Sequence, residues 1–219
     1  MLNTTKMALY DLDNFSLIHI FSYLDQTSQV RFTSVHKRFV ELRNYVYEIT
    51  TTKTMRDNQL QLFKNVHVLH LCNDLITDEG LKYLPIKELY CGYNDLNSKI
   101  ICKLSCVNYL GIGNSKEAFN IVEHPLIKML RSKCNNNLTD EGIKNLPLTH
   151  LYCDCNQNFT DDSIKNPSLT YLDCGVNNNF TDEGIINLQL KYLKCGNPFK
   201  FLPDTIMKLR KKHMIIDIK

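Results

Sequence analysis

Apolar residues recur along most of the chain with a period of 20 or 21 residues. In the clearest unit, Leu169, Leu172 and Cys174 occupy the first, fourth and sixth positions. Apolar residues at the fourth and sixth positions predict a short strand that buries both of these side chains. The units begin at eight positions: Val46, Val66, Ile86, Val107, Ile127, Leu148, Leu169 and Leu190. The predicted core pairs are Leu69 with Leu71, Leu89 with Cys91, Leu151 with Cys153, and Leu172 with Cys174.

Asparagine stands near the ninth position of several units, and the whole pattern resembles the leucine-rich-repeat family. Units of that family need about 20 to 29 residues for a strand, a turn and a returning convex segment. The resemblance implies an α/β solenoid with a parallel sheet on its concave face, and asparagines that turn inward to bond backbone groups. These asparagines are Asn94, Asn135, Asn156 and Asn177. Short cysteine-containing repeats of this length also resemble those of large DNA viruses.

Threonine followed by two acidic residues begins the second half of four units. Threonine is a good helix N-cap, and negative charge in the first turn is favoured by the helix dipole. Paired carboxylates are also typical of acid–base catalysis, but recurrence at the same place in each unit favours capping. The acidic pairs are Asp78 and Glu79, Asp140 and Glu141, Asp161 and Asp162, and Asp182 and Glu183, after Thr77, Thr139, Thr160 and Thr181.

The chain divides into a helical segment, residues 1–44, and a repeat array with a C-terminal cap, residues 45–219. Apolar residues three and four apart in 17–24 predict a first helix, and a second follows Asp25. A third helix is predicted to begin near His36. These helices are too short to be stable alone, so we expect them to dock on the array. At the other end we expect a closing helix from Leu202 and a last strand in 214–218.

The helical segment is similar to an F-box. That pattern opens with Leu-Pro, continues with Ile-Phe-x-x-Leu-Asp and ends with Val-x-x-x-(Trp/Phe); here the corresponding runs are 12–25 and 30–39, with Asp13 in place of the usual proline. The resemblance implies binding to a Skp-type adaptor, although some of the apolar side chains are expected to pack internally. An alternative is that the helices only cap the open end of the array. The predicted adaptor-binding residues are Leu12, Leu17, Ile20, Phe21, Leu24, Val35 and Phe39.

Strand residues that do not point into the core are predicted to face outward on the concave side. Tyrosines among mixed charges are typical of a protein-binding surface, although tyrosine also simply suits a strand. The acidic residues on this face argue against a nucleic-acid track. The predicted target-binding residues are His70, Glu88, Tyr90, Tyr109, Arg131, His150, Tyr152, Asp154, Tyr171, Asp173, Tyr192 and Lys194.

Composition limits the function further. A net charge of +3 is too small for the basic footprint of nucleic-acid binding. No apolar run is long enough for a membrane span or a signal peptide, so we expect an intracellular protein, cytoplasmic or nuclear. Nine cysteines, an odd number, then favour reduced thiols. Cys134, Cys153 and Cys155 lack the Cys-x-x-Cys spacing of a zinc site, so we expect neither metal nor cofactor.

Together these features favour the substrate-recognition subunit of a Skp/cullin/F-box ubiquitin ligase, a monomer within its complex. The resemblance implies that the helices bind the adaptor, and through it a cullin, while the concave face holds an unknown target protein. The alternative is a repeat scaffold for protein interactions without any ligase link. An enzyme is disfavoured, because the sequence contains no recognisable nucleophile, phosphate-binding loop or metal set.

Overall fold

The computed structural model describes residues 9–92, 101–113, 121, 124–176, 179–196, 201–212 and 214–218. The protein is α/β, and nine parallel strands form one open sheet in which the strand order follows the chain. Each strand therefore pairs only with the strands of its neighbouring units. The strands are β1 (Glu48–Thr50), β2 (Val68–Leu71), β3 (Glu88–Cys91), β4 (Tyr109–Ile112), β5 (Met129–Arg131), β6 (His150–Tyr152), β7 (Tyr171–Gly175), β8 (Tyr192–Cys195) and β9 (Ile215–Ile218).

The strands pair in the register that the repeat predicts. Leu69 lies opposite Ile49 on one side and Leu89 on the other, and the same position is leucine in every strand from β2 to β8. All eight predicted core residues are buried and belong to one continuous apolar core. The 20- or 21-residue period thus corresponds to one strand and its return, which is compatible with a solenoid-like stack of units.

Two α-helices, α1 (Asn14–Ser22) and α2 (Gln26–Val35), precede the sheet and are followed by a 3-10 helix, Lys37–Tyr45. A short 3-10 turn, Leu9–Asp11, comes first. Asp13 caps α1, because its Oδ1 accepts a hydrogen bond from the Ser16 amide at 2.9 Å, and this bond lowers the pKa of the Asp13 carboxyl. The buried side chains of this segment join the core of the array, and α2 lies against β1.

In the described part of the chain, short helical segments return the chain behind the sheet. They are α3 (Asp57–Leu60), α4 (Asp78–Leu81), α5 (Asp140–Ile143), a 3-10 helix (Asp161–Ile164) and α6 (Asp182–Ile186). The first follows Arg56, and the other four follow the threonines of the sequence pattern. Thr77, Thr160 and Thr181 accept hydrogen bonds from backbone amides of the first turn, whereas the Thr139 side chain makes no such bond. The predicted closing helix and last strand are also present, as α7 (Pro203–Lys211) and β9.

Asparagines turn inward after the strands where the structure describes them. Asn135 and Asn156 are both fully buried, and each Oδ1 accepts a hydrogen bond from a backbone amide two residues further on, at 2.9 Å. This agrees with the predicted role of satisfying backbone groups in a buried turn. Asn94 and Asn177, the other two asparagines of the pattern, lie outside the described residues.

Candidate binding surfaces

One face of the sheet carries the side chains that alternate with the buried leucines, and most of them are partly exposed. They form two rows, which we call the open face. The first row is Glu48, Val68, Glu88, Tyr109, Met129, His150, Tyr171, Tyr192 and Ile215. The second row is Thr50, His70, Tyr90, Gly111, Arg131, Tyr152, Asp173, Lys194 and Asp217.

Aromatic rings on the N-terminal half of the open face contact one another across β2, β3 and β4. The His70 and Tyr90 rings stack with their centroids 4.3 Å apart and their planes 5° from parallel. The Tyr109 ring lies 5.0 Å from Tyr90. Parallel pairing places equivalent side chains side by side, so a residue type repeated in neighbouring units becomes a continuous patch.

A second aromatic group covers β6, β7 and β8. Tyr171 is its centre, with ring centroids at 4.6 Å from Tyr192, 4.9 Å from Tyr152 and 5.3 Å from His150. Desolvation raises the pKa of the Tyr152 and Tyr171 phenols, which therefore stay neutral at physiological pH. Neutral, partly buried tyrosines offer apolar ring surface together with a hydroxyl group, a combination that is common at protein interfaces.

Most charged groups of the open face are paired laterally. Lys194 Nζ lies 2.7 Å from Asp173 Oδ2 on the neighbouring strand, and this bond raises the pKa of Lys194. His70 Nε2 lies 3.2 Å from Glu48 Oε1. Two acidic side chains accept hydrogen bonds from phenols instead, since Tyr90 donates to Glu88 at 3.0 Å and Tyr192 donates to Asp217 at 3.1 Å.

Asp154 lies just beyond the C-terminal end of β6. Its Oδ2 is 3.3 Å from Lys133 Nζ, and its Oδ1 accepts a hydrogen bond from the Val176 amide at 3.1 Å. Burial by itself acts to raise the pKa of the Asp154 carboxyl, but these partners together with the Cys155 thiol outweigh burial and lower it. Asp154 is therefore ionised at neutral pH and joins three consecutive turns at the edge of the open face.

The structure brings the predicted target-binding residues together on one surface. Eleven of the twelve stand in the two rows of the open face, and the twelfth is Asp154 at its edge. The sequence pattern missed Glu48 and Asp217, which extend the face onto the first and last strands. It also did not indicate that the second row lacks a side chain at Gly111, because a glycine fits neither the apolar nor the polar positions of the pattern.

The seven predicted adaptor-binding residues are not all available to a partner. Leu12, Ile20 and Leu24 are half-buried, and Val35 is 75% exposed. The side chains of Leu17, Phe21 and Phe39 are buried in the core, so they have no surface to offer. Adaptor binding through the remaining four stays a prediction.

An exposed aromatic stripe on α1 escaped the apolar pattern, because it lies on the helix face opposite the core. Phe15 and Tyr23 are 81% and 77% exposed, and both rings contact His19, at 6.4 and 5.0 Å. The three residues are spaced four apart and therefore lie along one side of the helix. Large exposed aromatic side chains in such a group are unusual on a solvated helix and are typical of an interaction surface.

No protein-family model matches the chain, and no curated protein matches it either. Among the described residues, no three His, Cys, Asp or Glu side chains are placed to hold a metal ion. No helix in that part of the chain is both long enough and apolar enough to cross a membrane.

Proposed function

We propose that this chain is the substrate-recognition subunit of a Skp/cullin/F-box ubiquitin ligase, in which leucine-rich repeats hold the target protein. The observation that carries the proposal is the open face, where two groups of stacked aromatic rings and laterally paired charges form one continuous surface. Aromatic side chains supply much of the binding energy at protein interfaces. A receptor of this kind catalyses no reaction and acts by raising the effective concentration of its target near the ubiquitin-charged enzyme.

The helical segment supports the adaptor half of the proposal. Its sequence resembles an F-box, and it presents apolar and aromatic groups to solvent at Val35, Phe15 and Tyr23. Asp13, where most F-boxes have proline, still starts α1, because its carboxylate caps the helix. Asp13 therefore departs from the family pattern but still starts the helix that would meet the adaptor.

A repeat scaffold without a ligase link is the second candidate, and one observation favours it. Leu17, Phe21 and Phe39 continue the core of the array beyond its first strand. A terminal unit needs such a cover, because otherwise its apolar side would face water. The helices would then be a cap alone, and only the open face would bind a partner.

Titration of the full chain with a purified Skp-type adaptor separates the two candidates. We expect saturable binding by calorimetry and its loss in Val35→Asp, which places a charge on an exposed apolar position without touching the core. Phe21→Ala is less informative, because Phe21 is buried and its loss would disturb folding.

Leu62→Asp is the matched control, since Leu62 is also exposed but lies in the first unit of the array. It should bind the adaptor as the parent does. Failure of the parent chain to bind any Skp-type adaptor would remove the ligase proposal and leave the scaffold.

A further inference from the structure

The second row of the open face has a gap on β4, where Gly111 stands between Tyr90 on one side and Arg131 on the other. A Cβ atom at residue 111 would come within 2.9 Å of Tyr90 Cδ1 and 3.7 Å of Tyr109 Cε1. The Tyr90 ring therefore occupies part of the space over Gly111, and the Tyr109 ring lies beside it. Gly111 and Tyr90 also line a recess of ≈ 420 Å³, together with Arg131 and Lys133.

Among the described residues, Arg131 and Lys133 are the cations that line this recess, and only Lys133 forms an ion pair. Lys133 is engaged by Asp154 at 3.3 Å, and Lys194, further along the face, is engaged by Asp173 at 2.7 Å. Within the residues that the structure describes, Arg131 forms no ion pair. Arg131 is exposed, and the five N–H donors of its planar guanidinium suit a carboxylate that approaches from outside.

We infer that this recess binds the carboxylate of an aspartate or glutamate side chain in the target. Arg131 pairs with the carboxylate, and the ring of Tyr90 packs against the methylene groups that carry it. This inference rests on the proposed function, because it assumes that the open face holds the target. It adds the chemical feature by which the target is recognised.

The charge of the surrounding face favours a single carboxylate over a polyanion. The two rows with Lys133 and Asp154 contain five carboxylates against three cations, so their formal sum is −2 with histidine neutral. A phosphodiester chain lying along such a face would meet repulsion over most of its length. One carboxylate placed in the recess needs only to reach Arg131, because Asp154 and Asp173 are already engaged by lysines and Glu88 is held by the Tyr90 hydroxyl. The carboxylates are Glu48, Glu88, Asp154, Asp173 and Asp217, and the cations are Arg131, Lys133 and Lys194.

The spacing of the strands also predicts what flanks the acidic residue. Tyr90 and Tyr171 each lie two strands away from Arg131, which is about 10 Å at the usual strand separation of about 4.8 Å. An extended peptide advances about 3.3 Å per residue. Because side chains of an extended peptide alternate between two faces, only residues an even number of positions away share the face of the acidic residue. A target segment that crosses the strands therefore carries an apolar or aromatic residue two or four positions before the acidic residue and another two or four positions after it.

Panning of a phage-displayed library of random 12-residue peptides on the full chain tests this inference. We expect the selected peptides to share an Asp or Glu with apolar or aromatic residues two or four positions away on both sides. A synthetic peptide of the strongest clone is then titrated by fluorescence anisotropy. Replacing its acidic residue by the matching amide should weaken binding about tenfold or more, and Arg131→Gln should have a similar effect.

The two changes together should cost little more than either alone, because both remove the same contact. Arg131→Lys should bind with intermediate affinity, since it keeps the charge and loses the fork. Lys128→Gln removes one exposed positive charge just before the same strand and should leave the affinity within about twofold. Losses that simply add, or selected peptides without a shared acidic residue, would overturn the inference. So would a phosphoserine peptide that binds about tenfold more tightly than the acidic one.

The same experiment distinguishes failure of the inference from failure of the proposed function. The selected peptides could lack an acidic residue and still fail to bind a Tyr152→Ala/Tyr171→Ala variant. That result would support the open face as the target surface and overturn only the inference that the target contributes a carboxylate. If no peptide is selected, or if the Tyr152→Ala/Tyr171→Ala variant binds the peptides as tightly as the parent, the target-binding role of the open face fails together with the inference.

Discussion

Asn135 and Asn156 occupy the same position of successive units, but their amide groups differ in partners. The Asn156 Nδ2 donates to Ser132 Oγ at 3.1 Å and to the Leu138 carbonyl at 3.2 Å. The Asn135 Nδ2 is buried and has no hydrogen-bond partner among the residues that the structure describes. One unit earlier, the residue equivalent to Ser132 is Ile112, which offers no polar atom. The partner of a repeated residue thus depends on the unit before it.

This difference predicts unequal costs for the same substitution. Asn156→Ala should lower the free energy of unfolding by about 1 to 3 kcal/mol more than Asn135→Ala, because it leaves buried groups unsatisfied while Asn135→Ala removes a group that was already unsatisfied. Urea denaturation of the two variants measures the difference. Equal losses would mean that the amide bonds of Asn156 contribute nothing to stability.

The cysteines permit a second test at the residue scale. Cys91, Cys153, Cys174 and Cys195 are buried, and burial raises the pKa of the Cys91 thiol to about 12. The thiolate is the reactive form, so these four should react with a thiol reagent only after denaturation. Mass mapping should instead find early labelling at the exposed positions, which are Cys72, Cys102, Cys106 and Cys134. Early labelling of the first four would contradict the assignment of the core positions.

At the scale of the element, the short helical segments that follow Thr77, Thr160 and Thr181 are each held by an aspartate of the unit before. The Asp161 carboxylate accepts hydrogen bonds from the Thr181 amide at 2.8 Å and from the Thr181 hydroxyl at 2.5 Å. Asp57 and Asp140 make the same pair of bonds to the threonines 20 residues after them. The sequence pattern explains Asp140 and Asp161 by the dipole of their own helix. The local pattern was sufficient to explain them, so it could not indicate the partner in the next unit.

The same contact explains a glycine that follows the acidic pair. A Cβ atom at Gly184 would come within 2.2 Å of the Asp161 carboxylate, so Gly184→Ala must displace the group that holds Thr181. We expect Gly184→Ala to lower stability by about 1 to 3 kcal/mol. Gly92→Ala is the control, because the nearest atom to its added Cβ is 3.9 Å away, and thermal melting should change little. Similar melting temperatures of the two variants would show that the Asp161 carboxylate moves away from the added Cβ without loss of stability.

At the scale of the whole molecule, one core runs from Leu17 in α1 to Met214 before β9. The sheet and its register follow from the sequence, because a repeat places the same apolar positions in every unit and parallel pairing aligns them. The role of the helical segment does not follow in the same way. Apolar residues three and four apart identify the face of a helix that packs, but the pattern is the same whether that face meets its own core or a partner. Phe21 illustrates this, since it was predicted to bind an adaptor and is buried in the chain.

The last test compares binding with stability, because β6 and β7 carry leucines that point into the core and tyrosines that stand on the open face. Leu151 and Leu172 are fully buried, whereas Tyr152 and Tyr171 stand on the open face. Replacing each leucine by Ala should cost about 2 to 5 kcal/mol and loosen the adjacent units, because each unit is stabilised mainly by its neighbours.

The tyrosine pair should behave in the opposite way. The sequence alone predicts a loss of roughly 0.5 kcal/mol for each exposed substitution, but Tyr171 also stacks on Tyr192, which adds about 0.5 to 1.5 kcal/mol for that aromatic pair. The double variant should therefore melt slightly earlier than the parent and well above either leucine variant, while it loses the partners that the parent captures. Hydrogen exchange should show local opening around β6 and β7 only in the leucine variants. If the tyrosine variant captures every partner of the parent chain, or opens as the leucine variants do, the open face is not the receptor surface.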